Sequence, residues 1–224
     1  NGDLAIPSEH FVLTRSCEVA KSRKSKNTWV LILCGVVALL LTVGIVALDR
    51  LSDPLDGVIR VGALLGYLGV FLAALSSNYM RELTRYFGRS FITVHHIVSV
   101  TALIALSVHA VGVAWRVGSV SAFLPNFASV RLFFALGGRP AFWLLAVTSL
   151  TALFRTAIGK NWKVIHSLNY VVFALGTIHA QMIGSSFVHL GVRIVAWAML
   201  AVLLGVFVWK RTRKQRALAK AKGK

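Results

Sequence analysis

Six stretches of the chain are almost free of charge and long enough to cross a bilayer as helices: about 28 to 48, 58 to 76, 91 to 115, 140 to 155, 163 to 183 and 188 to 209. A helix rises 1.5 Å per residue, so a span of the roughly 30 Å hydrocarbon core takes about 20 apolar residues. Strands of a membrane barrel would instead alternate in polarity over about ten residues. The fourth stretch is short, and a few flanking residues at either end complete it. The pattern predicts an all-α integral membrane protein, a bundle of six transmembrane helices. Its expected parts are a basic N-terminal tail (1–27), a six-helix domain (28–209) and a basic C-terminal tail (210–224).

Composition agrees, with 57% hydrophobic residues, 14% charged residues and a mean hydropathy of +0.73. The net charge of +18 invites a nucleic-acid reading, but the placement of the charges argues against it. Of 25 Lys and Arg, 19 fall in the two tails and in the second and fourth loops, and the other six are Arg50, Arg60, Arg116, Arg131, Arg139 and Arg193. That is the positive-inside asymmetry of a multi-pass protein in the cell membrane with both termini cytoplasmic. The tail KRTRKQRALAKAKGK is expected to rest on anionic lipid, with no nucleic-acid partner. The chain opens on Asn1 rather than Met, which leaves room for a few preceding residues, and its first 27 residues are too polar for a signal peptide.

Two cysteines do not make a disulfide framework: Cys34, inside the first stretch, reads as a small buried apolar residue, and Cys17 lies in a reducing compartment. The run GALLG from Gly62 to Gly66 has the small-residue spacing of closely packed helices. The longest loop, Arg116 to Arg139, contains FLPNFASVRLFFAL, whose Phe, Leu and single Arg suit a segment lying in the interface.

Histidine carries the chemistry. The third stretch holds His95, His96 and His109, and the run GKNWKVIHSLNYVVFALGTIH, read as one helix from Gly159, holds His166 and His179. Ionisable side chains inside a span are costly, face the interior and are functional by default. Neutral imidazole is a good axial ligand for haem iron. Thirteen or 14 residues of helix cover about 20 Å, which places imidazole near each face of the bilayer. Four such nitrogens suffice for two haems, held without a CxxCH attachment motif, hence b-type. On an ideal helix 14 residues return to within about 40° of one face, so His95 is a better partner of His109 than His96, with the choice of ligand between the two left open. A spacing of 13 leaves His166 and His179 roughly 140° apart and requires a local distortion. His189 reads as an interfacial histidine without a metal role, Trp162 as an interface anchor and Tyr170 as a packing residue.

The residues Thr148, Ser149, Arg155, Gly159, Trp162, His166, Tyr170 and His179, together with the histidines of the third stretch, resemble the ferric reductase-like transmembrane domain. That family includes ferric reductases, the membrane half of NADPH oxidases and the haem-binding membrane subunit of bacterial methionine sulfoxide reductase. The likeness covers about residues 57 to 209. It implies haem held between the third and fifth helices, His95 and His166 clamping an inner haem and His109 and His179 an outer one, each iron six-coordinate. Many relatives carry arginine after the first histidine and glycine three residues further on, where this chain has His96 and Ser99. The sulfoxide reductase subunit usually has arginine at the place of His95. Arg60, Arg131 and Arg193 are candidates for contacts with the propionates of the outer haem.

Within the chain there is no GxGxxG and no flavin or nicotinamide domain. Haem moves electrons singly and supplies no hydride. The expected function is transmembrane electron transfer through two b-type haems by the membrane subunit of a reductase, with no catalytic residues of its own. The donor would be a separate flavin reductase, bringing FMN or FAD, or a quinol. The acceptor would lie outside, on a periplasmic or extracellular reductase partner. An alternative is a self-contained ferric-chelate or oxygen reductase loaded by a separate flavin reductase. From another class, the histidines would line a metal or proton transporter, against which stands the lack of any carboxylate within the six stretches.

Overall fold

The computed structural model describes residues 28–87 and 91–222; the N-terminal tail, Cys17 within it and Arg89 lie outside the described residues. Among these there is no strand. The ten α-helices are α1 (Thr28–Ala47), α2 (Pro54–Ser76), α3 (Met80–Phe87), α4 (Phe91–Val117), α5 (Val130–Ala135), α6 (Gly138–Leu153), α7 (Arg155–Ile158), α8 (Trp162–His166), α9 (Asn169–Ile183) and α10 (Leu190–Lys222). Short 3-10 turns at Val120–Phe123, Gly159–Asn161 and Ser185–Val188 join them.

Local chemistry starts and stops these helices. Asp53 caps α2 by accepting from the Asp56 N–H at 2.8 Å, and Pro54, which has no N–H to satisfy, takes the first position. Ser129 caps α5 in the same way, through the Leu132 N–H at 3.1 Å. Large apolar side chains cover the outside, among them Leu40, Ile104, Leu153 and Ile194, each more than half exposed. Backbone polar groups are satisfied within the helices, as a lipid-facing surface demands.

The closest packing is between α2 and α4. A Cβ on Gly62 would stand 2.9 Å from the Ala105 carbonyl oxygen and 3.3 Å from the His109 backbone nitrogen, and a Cβ on Gly69 2.6 Å from the Ala102 Cβ. The glycines therefore let α2 approach the backbone that carries His109. Behind this pair, Phe173 of α9 is 1% exposed and stacks on Tyr67 of α2 at 4.6 Å between centroids. Leu203 of α10 closes the same cluster.

All six apolar stretches are helical, but four helices are long and apolar enough to cross a membrane: Trp29–Ala47, Pro54–Ser76, Ile92–Val117 and Leu190–Arg213. Gly138–Leu153 followed by Arg155–His166, bent by 84°, makes a fifth candidate if the pair is counted as one span. The helix expected from Gly159 through His179 is interrupted. The chain turns after Leu153, runs through α7, a 3-10 turn and α8, and turns again at Ser167 and Leu168 before α9 begins. The 15 residues of α9 reach only about 22 Å. One further expectation is revised: Cys34 is exposed on the outer face of α1 rather than buried. The last helix, α10, runs on to Lys222.

Charges sort to the two ends of the bundle. One end gathers Asp49, Asp53, Arg60, Arg116, Arg139 and His189, linked across loops by Arg116–Asp53 at 2.7 Å and His189–Asp49 at 2.9 Å. At the other end Lys210 of α10 lies 4.8 Å over the Tyr79 ring.

Candidate functional site

The fold brings the four histidines together in two pairs, one toward each end. His95 and His166 face each other with ring centroids 6.3 Å apart. His109 and His179 line one cavity of about 360 Å³ between α2, α4, α6 and α9. Because matched pairs meet at both ends, α4 and α9 run in the same direction. The interruption at Ser167 and Leu168 supplies the distortion that a 13-residue spacing requires.

Backbone carbonyls fix each ring. The Nδ1–H of His109 donates to the Ile59 carbonyl at 3.1 Å, that of His166 to Thr148 at 3.2 Å and that of His179 to Ala135 at 2.7 Å. The ring of His95 bonds the Ala73 carbonyl, with the Ser76 hydroxyl 3.4 Å from Nδ1. Ile59 and Ala73 both belong to α2, 14 residues apart, so one helix orients both histidines of α4. Thr148 is fully buried, and its hydroxyl meets Asn169 Oδ1 at 2.7 Å. A ring nitrogen that donates its proton to a carbonyl leaves the other as a lone pair, the arrangement found around metal-bound imidazole.

These residues fit haem iron by their donor chemistry, and His95 and His166 also by their spacing. A metal–imidazole bond is about 2.0–2.1 Å, so two rings sharing one metal need centroids about 6.3 Å apart, the spacing of His95 and His166. Among the described residues no three His, Cys, Asp or Glu gather for a bare metal ion. A pair of imidazoles is the protein's full share of a six-coordinate haem. His96 lies on the exposed face of α4, its ring 6.2 Å from that of His95.

The cavity wall is mainly aliphatic and aromatic, with Arg60, Asp56 and Arg139 at one end, and the long loop covers it through Ala122, Phe123 and Leu136. Of the three arginines expected there, only Arg60 lines it. Arg131 is exposed on α5, and Arg193 is exposed and donates to Gln181 Oε1 at 3.2 Å. Arg139 lines the cavity beside Arg60, donating to the carbonyls of Ser121 and Leu124 at 3.1 and 3.0 Å. It forms no ion pair among the described residues. A signal for it was present, because a cation in the first turn of a helix opposes the helix dipole. Trp162 sits 5.8 Å from the His166 ring, and the Tyr170 hydroxyl accepts from Asn78 at 3.0 Å, a packing role.

His179 is also bounded sterically. A Cβ on Gly138 would stand 2.9 Å from Nε2 and 3.0 Å from Cδ2 of that ring. The ring is held by Ala135 and cannot retreat freely, so Gly138→Ala is expected to weaken about tenfold the hold of His109 and His179 on a haem they would bind, from overpacking strain of about 1–3 kcal/mol. The helix itself prefers alanine. Haem content and thermal stability measured together check this: loss at one site with the fold intact is the expected result.

No curated protein and no solved structure matches the chain. The family model described as "Ferric reductase like transmembrane component" matches residues 60–177, narrower than the likeness expected from the sequence. The match takes in His95, His109 and His166 and stops just short of His179. It spans more than half of the 224 residues, and with several apolar helices around two histidine pairs this multi-pass membrane protein belongs to the ferric reductase like transmembrane component family.

Proposed function

We propose that the protein carries electrons across the cell membrane as the membrane subunit of a reductase, using two b-type haems, one between His95 and His166 and one between His109 and His179. The observation that carries the reading is the carbonyl bond to Nδ1 of His109, His166 and His179, which leaves Nε2 of each as the nitrogen that would ligate. Bound there, haem iron takes up and gives up one electron at a time.

The chain's own residues do the rest. Two imidazoles per iron leave no open position for small ligands. Leu106, Leu145, Val172 and Phe173 give the cavity an apolar wall. Arg139 offers its charge to carboxylates at the cavity end. Electrons would arrive at the basic end from a separate flavin reductase or from a quinol, and leave at the His109 and His179 end to an outside acceptor, on a partner reductase or a free chelate. All six apolar stretches are taken as spans, α6 and α9 being shorter than the others.

A reduced-minus-oxidised spectrum of the purified protein tests the class: haem bands support electron transfer, and their absence supports a histidine-lined transporter. The site favours the former, since the one carboxylate in the cavity wall, Asp56, is tied to Arg60 and Arg116 at 3.8 and 3.4 Å. Orientation follows from the 19 basic residues on one side. A cysteine at Lys224 is expected to resist an impermeant thiol reagent in intact cells, and external labelling would reverse the proposed direction.

A further inference from the structure

Arg60 meets the cavity with its charge already balanced. Its side chain is only 7% exposed and is ion-paired to Asp49, while Nη2 and Nε donate to the Ser186 hydroxyl at 2.9 and 3.3 Å. Nη1 lies 3.8 Å from Asp56. The second oxygen of Asp49 is held by His189 Nε2 at 2.9 Å. Three separate segments, the loop after α1, α2 and the turn before α10, thus fix one guanidinium against the cavity of His109 and His179. Arg139, on the same cavity, is held by backbone carbonyls alone.

Asp49, Ser186 and His189 lie outside residues 60–177 matched to the family. The Arg60 guanidinium, and His189 after it, hold the Asp49 carboxyl below the usual carboxylate range. Asp49 is therefore charged at neutral pH. A charge fixed in a poorly screened place acts on any neighbouring group whose own charge changes. Reduction of a haem adds one negative charge, so an unbalanced Arg60 would favour it and an unbalanced Asp49 would oppose it.

We infer that Asp49 is a positioning residue for the site of His109 and His179: by clasping Arg60 it cancels that arginine's charge and keeps the reduction potential there lower than Arg60 alone would make it. The inference rests on the proposed haem at that pair. It assigns a potential-setting role to a residue that is not among those lining the cavity.

Potentiometric titration of the purified full-length chain with haem bound tests it. Asp49→Asn is expected to raise one of the two potentials by about 59 mV, a tenfold change for a one-electron couple, and leave the other in place. Arg60→Gln is expected to lower the same potential. The neutral double variant should return toward the starting value, and His189→Gln, which keeps both charges, should change little. Each single variant has its own sign and decides the matter if the other does not fold. Shifts in the same direction, equal shifts of both potentials, or unchanged potentials with haem intact overturn the inference. A wild-type chain without haem overturns the proposed function instead.

Discussion

Replacing His166 and His179 together with alanine is expected to leave a membrane protein that binds no haem. Each histidine supplies one of the two imidazoles at its end of the bundle, and no other imidazole stands at the same depth on that helix. Their loss leaves His95 and His109 with one bond each. The single variants should each remove or alter one site: His166→Ala the one at the basic end, His179→Ala the one in the cavity. His95→Ala is the weakest test, because His96 lies next to it, its ring 6.2 Å from that of His95. His189→Ala should retain both haems, since its ring is committed to Asp49 and does not line the cavity. Haem content and visible spectra of the purified variants check all four, and full haem content in the double variant would end the scheme.

NADPH or NADH added to the purified protein alone is expected to leave it oxidised, because no nicotinamide or flavin motif occurs in the chain. A flavin reductase, or a quinol if that is the donor, should reduce both sites, and an acceptor outside should reoxidise them. The order is testable by removing one pair at a time. Without His109 and His179 the basic-end site should still be reduced while delivery outside is lost. Without His95 and His166 the cavity site should stay oxidised. Rapid reduction by NADPH with no second protein would show that the chain does more than relay electrons.

Much of this was legible in the residues. Apolar runs locate the helices, and helical geometry favours His95 over His96 as the partner of His109; in the structure the His95 ring lies 6.3 Å from that of His166. The run from Gly159 to His179 reads as one helix because it is apolar nearly throughout, and only the structure shows the interruption at Ser167 and Leu168. Lys160, Lys163 and Trp162 there suit a segment lying at the end of the bundle. The carbonyls that orient the rings could not be foreseen either, since Ile59, Ala73, Ala135 and Thr148 contribute backbone atoms that any residue has. Of the propionate candidates, Arg60 lies at the cavity but is claimed by Asp49, a pairing across a loop that spacing does not disclose. Cys34 was assigned to the interior by residue type, yet in a membrane the outer face is as apolar as the core, so burial does not follow from hydrophobicity.

The measurement that bears most directly on the whole account is the haem content of the wild-type protein, as moles of b-type haem per mole of chain together with the ligation of the iron. Two haems per chain, both low-spin with paired histidines and unreactive toward carbon monoxide when reduced, is the result the four oriented imidazoles require. No haem, or a single haem that binds carbon monoxide, would contradict it.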